Sequence, residues 1–134
     1  MGYGVQTGTH RIELVDFDGS DNWVDIRAAR SYGAAQRQKA AGLKMKIGDK
    51  GKNSEVDFDF AASNLVMFKE SIVAWSLKRS ETDAEPMPLT EETFREGLSE
   101  SVGEWLAEEM QAYYSARTLS EEDRKNSNGR LTAP

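Results

Sequence analysis

Between Asp59 and Arg79, apolar side chains return at alternating steps of four and three, at Ala61, Leu65, Phe68, Ile72 and Trp75. Val66, Val73 and Leu77 widen that stripe. A period near 3.6 with a broad apolar face predicts one long helix over 59–79 that forms the centre of a core. Nearer the N-terminus the period is two. Ile12 and Leu14 alternate with Arg11 and Glu13, and Val24 and Ile26 alternate with Trp23 and Asp25. Asp16, Asp18, Gly19, Ser20, Asp21 and Asn22 lie between the runs and supply turn chemistry, so a β-hairpin is expected over 10–27. The stretch AARSYGAAQRQKAAGLKM favours a shallowly packed helix over about 30–45, with Ser31 as its cap. Residues 47–57, IGDKGKNSEVD, read as a charged loop. Pro86 and Pro88 interrupt the helical pattern. Thr90 then opens a helix over about 91–98, with Glu91 and Glu92 in its first turn. Ser99 or Ser101 opens another over 100–117. There Val102, Leu106, Met110 and Tyr113 share a stripe and Trp105 lies beside it. Residues 1–9 read as a mobile N-terminus and 119–134 as a polar C-terminal tail. The expected fold is α+β: an N-terminal hairpin followed by three to four helices, in one domain over 10–118.

The aspartate cluster invites a calcium reading, which the spacing refuses. Counted from Asp16, position 6 of an EF-hand loop is Asp21 where glycine is needed, and position 12 is Arg27 where a glutamate is needed. The cluster is therefore expected to be a turn, and no metal or cofactor site is expected. The chain has no cysteine, which removes thiol nucleophiles, disulfides and cysteine-ligated zinc. Its one histidine, His10, sits on a predicted strand edge, and no G-x-S-x-G accompanies it. No catalytic residues are assigned, and a binding or assembly protein is expected rather than an enzyme. No apolar run approaches the roughly 20 residues of a membrane span, and the N-terminus lacks the pattern of a secretory signal. A cytosolic location is expected.

Charge adds an asymmetry that the net value of −6 conceals. Residues 27–52 hold eight Lys or Arg and one Asp, whereas residues 81–109 hold ten acids and one Arg. Such blocks suit self-association or a basic patch for nucleic acid. Tyr32 is the one aromatic in the basic stretch, so a stacking platform is missing, and overall acidity weakens attraction to phosphate. Nucleic acid is therefore the weaker expectation. Trp75, Trp105, Tyr113 and Tyr114 are the candidate partner-binding residues. Adjacent tyrosines cannot share one side of a helix, so one of the pair is expected outside the core.

Three stretches in order carry a family likeness: WVDIRAARSYGAAQRQKAA, then FKESIVAWSL with MPLTEETFREGL, then VGEWLAEEMQAYYSARTLSEEDRKNSNG. Over roughly residues 10–128 the chain resembles the small tail assembly chaperones of long-tailed phages, especially those of actinobacterial hosts. The most specific part is Ile72–Leu77 paired with Pro88–Glu92, a pattern of core and capping residues rather than an active-site motif. The resemblance implies a protein that binds the tape-measure protein, shields its apolar helical segments and helps recruit tail-tube subunits. It implies action in the host cytoplasm and absence from the finished particle. It also implies a longer frameshifted form, this chain being the short one, with the junction past Arg124. A minor structural or connector protein of the particle is the alternative. A nucleic-acid-binding accessory protein using residues 27–52 is a further one.

Overall fold

A computed structural model describes residues 7–47 and 54–131. The expected hairpin is present. Strand β1, Thr9–Glu13, pairs antiparallel with β2, Trp23–Arg27, in a register that sets Ile12 opposite Val24 and His10 opposite Ile26. Ala28 N–H donates to the Gly8 carbonyl (3.0 Å), so ordered pairing begins inside the stretch 1–9 expected to be mobile; residues 1–6 lie outside the described residues. The inward face carries Ile12, Leu14, Val24 and Ile26, all buried. On the outward face Arg11 grips Asp25 with two hydrogen bonds (2.8 and 3.0 Å) and lies over the Trp23 ring. The aspartate cluster is a turn, built as one helical turn, α1, Val15–Asp18, closed by Gly19 at φ +75°. Glycine enters the left-handed region without the steric cost a Cβ brings. Asp18 Oδ1 then accepts from Ser20 N–H (2.9 Å) and fixes the return.

Helix α2, Tyr32–Gly42, starts where expected, with Ser31 Oγ accepting from Ala34 N–H (3.0 Å). It ends at Gly42, not at 45, and Leu43–Ile47 form strand β3. β3 pairs antiparallel with β4, Ser54–Phe58, which corrects the expected 47–57 loop; positions 48–53 lie outside the described residues. The register sets Lys44 opposite Asp57 and Lys46 opposite Glu55. Opposite charges at facing positions favour a ladder, and LKMKI alternates apolar and polar residues, a period of two that the helix expected to 45 cuts across.

The largest correction concerns the 59–79 helix. Helix α3, Phe60–Ser71, is capped by Asp59 and stops at Ser71, and Ile72–Trp75 become strand β5. β5 pairs antiparallel with β2, with a bulge at Asp25/Ile26, and completes a three-stranded sheet of order β1-β2-β5. Ile72 and Val73 are β-branched and fit a pleated surface better than a helix turn. The free edge of β2 offers them backbone partners. After β5, Met87 N–H donates to the Leu77 carbonyl (2.8 Å), which folds the proline-bearing linker back onto the sheet end.

Thr90 Oγ1 accepts from Thr93 N–H (3.2 Å) as the expected cap, and the following turn, Thr93–Gly97, is wound as a π-helix. Helix α4 runs Glu100–Leu131, with Ser99 as the cap. The expected 100–117 helix thus continues through most of the expected tail 119–134. Glu121, Glu122, Arg124 and Lys125 are good helix formers, and extending an existing helix is far easier than starting one. One core joins the sheet's inward face to Met67 and Phe68 of α3, Phe94, and Leu106, Ala107, Met110 and Tyr114 of α4. The α+β expectation holds, with five strands in two sheets among the described residues.

Candidate functional site

Of the four candidate aromatics, two are buried and two are half-buried. Trp75, from β5, is 4 % exposed, and its Nε1 donates to the Met87 carbonyl (2.8 Å) while its ring meets Phe94 edge-on. Tyr114 is 3 % exposed and its hydroxyl donates to the Arg27 carbonyl (2.7 Å). Burial, the leading effect, pushes its phenol above the usual tyrosine value. Tyr113 is half-buried; it donates to the Ala28 carbonyl (3.0 Å) and stacks on His10 at 4.0 Å. Trp105, also half-buried, packs on Phe17 at 5.1 Å. The expectation that one tyrosine sits outside the core is corrected: Tyr114 is buried, Tyr113 packs against the same core, and the two rings meet edge-on at 5.3 Å. Leu106, Met110 and Tyr114 follow each other by four residues, and that row is the buried one. All four rings fasten α4 and β5 to the sheet.

The three arginines of the basic block make contacts within the chain. Arg27 Nε donates to the Glu70 carbonyl (3.0 Å), Arg37 pairs with the Glu70 carboxylate, and Arg30 bonds Gln38 while lying over the Tyr114 ring. Burial draws the Arg30 pKa below its ordinary value. Gln38 is itself buried and reaches Gln111 of α4 (3.0 Å), so α2 is tied to α4 by a polar relay. These arginines hold α2, α3 and the hairpin together rather than standing ready for phosphates. Among the described residues, no three His, Asp or Glu side chains are grouped so as to hold a metal ion. No described helix is long and apolar enough to cross a membrane.

What the fold does leave open is a groove along α3 and α4. Near the π-helical turn a depression of about 400 Å³ is floored by Ala61, Leu65, Phe68, Phe94 and Leu98. A second, of about 920 Å³, continues toward α2 over Phe60, Ser63 and Ala107, with Leu43 at its end. Asn64 and Glu104 line both, so the two depressions adjoin. Phe60 is 69 % exposed and Leu43 58 % exposed. Exposed apolar side chains gathered in a concave patch mark interaction sites more often than isolated ones do. The lining is charged: Glu100, Glu104 and Glu108 from α4, Arg95 from the π-helical turn, and Arg30 and Lys39 from the α2 side. None of these was singled out from the sequence alone. The i, i+4, i+8 spacing of the glutamates was readable, but Phe60 and Leu43 lie outside the apolar stripes that the spacing marks. No family model, curated protein or solved structure matches the chain.

Proposed function

We propose that this chain is a tail assembly chaperone of the long-tailed phage type. It holds an apolar helical segment of the tape-measure protein in the α3–α4 groove and yields it as tail-tube subunits arrive. The observation that carries the proposal is the groove itself: an apolar floor open to solvent, bounded by charge, of the kind that seats an amphipathic helix. The likeness over residues 10–128 supplies the identity of the client. The commitment of the basic arginines to contacts within the chain weighs against the nucleic-acid reading. In this proposal the protein acts in the host cytoplasm and leaves before the particle is complete.

The test is to read the sequence downstream of this gene and co-express the chain with a long helical open frame found there; absence of such a frame counts against the proposal. A soluble complex, with the long product aggregating when expressed alone, is the expected result. If the product is equally soluble alone and no complex forms, the proposal fails. Peptides of this chain in purified particles, at a fixed ratio to tube subunits, would replace it with the structural-protein alternative.

A further inference from the structure

The sign of charge along the groove specifies its occupant more closely. Glu100, Glu104 and Glu108 are spaced by four and form one ridge along the α4 wall. All three are exposed, and among the described residues none takes part in an ion pair. The cations of the lining are differently placed. Arg95 pairs with Glu91 (3.2 Å), and Arg30 is turned onto Tyr114 and Gln38, which leaves Lys39 at the α2 end. One wall therefore carries an unmatched negative row, with an apolar floor beneath it. We infer that the groove takes a basic amphipathic helix. Its apolar stripe lies on Phe60, Leu65 and Leu98, and Lys or Arg residues at i, i+4 and i+8 face the glutamate row. Helix α3 has 12 residues, about 18 Å of length, which accommodates about three turns of such a partner.

This rests on the client-holding reading above and adds the client's charge. The probes are a synthetic Leu/Lys amphipathic peptide of about 18 residues, roughly 27 Å as a helix, and the matching Leu/Glu peptide. Binding is read by fluorescence anisotropy of the labelled peptide at low salt. The Leu/Lys peptide is expected to bind at least tenfold more tightly. The double variant Glu104→Lys, Glu108→Lys is expected to reverse the order, and Phe60→Asp to weaken both peptides. These side chains are exposed, and unchanged circular dichroism and melting temperature verify that the variants fold. Equal binding of the two peptides, or none of either, overturns the inference. A concentration-dependent dimer of the free chain that Glu104→Lys, Glu108→Lys abolishes would also overturn it, giving the groove to a second copy. If the long product co-purifies equally with wild type and with the charge-reversed variant, the chaperone reading stands and this inference falls. If the Leu/Lys peptide binds with the expected preference but the long product does not co-purify, the groove's preference stands and the phage assignment falls.

Discussion

Trp75 joins three parts of the fold with one side chain. It anchors β5 in the core, gives an edge to Phe94 and bonds the Met87 carbonyl in the linker. Trp75→Phe removes that hydrogen bond and leaves a space, so it is expected to lower stability by about 2–3 kcal/mol, read from the urea midpoint at unchanged slope. The Arg11–Asp25 pair is different, because it lies on the outer face of the hairpin. The Arg11 hydrogen bonds hold the Asp25 carboxyl below its ordinary pKa. The folded value is lower than the unfolded one, so the stability this contributes is present above the unfolded carboxylate value of about 3.9. It is lost as pH falls through the lower folded value. Asp25→Asn is expected to flatten the acid limb of stability against pH, measured by thermal melts in that window. An unchanged acid limb would mean that the pair is inert.

At the scale of elements, caps and turns were legible. Ser31, Thr90 and Ser99 open the segments their chemistry announces, and Gly19 closes the single turn between β1 and β2. A Cβ at Gly19 would meet nothing within 4 Å, so the cost of Gly19→Ala is one of backbone strain. It is expected to be about 1–2 kcal/mol, with Gly19→Asn costing less, because asparagine tolerates the left-handed region. Chemical denaturation of the two variants side by side checks this. The end of α3 was not legible. Ile72, Val73 and Trp75 satisfy a helical stripe and a half-buried strand alike, and only pairing with Val24 and Asp25 decides between them. The β3–β4 ladder was missed for a related reason. Leu43, Met45 and Ile47 alternate with lysines for only five residues directly after an alanine-rich helical stretch, and the stability of so short a strand depends on the facing one.

For the whole molecule, the charge blocks acquire a meaning that their positions in sequence did not suggest. Lys39 of the basic block and Glu104 and Glu108 of the acidic one line a single groove in one copy. Attraction between copies is therefore not needed to bring the blocks together. Tyr114 is the last buried residue described on helix α4, whose backbone continues to Leu131.

The sequence by itself determined what short-range physics controls. It set the two period-two strands and their glycine-closed turn, the helix starts, and the apolar residues that form the core. These depend on spacing and on side chains bonding their own backbone within a few residues. Tertiary structure decided what depends on distant partners. It made Ile72–Trp75 a strand at the edge of β2, it buried Tyr114 under the end of the hairpin, and it left Phe60 and Leu43 open beside a row of glutamates. Exposure belongs to the assembled helices, because whether an apolar residue is covered depends on which surface comes to rest on it.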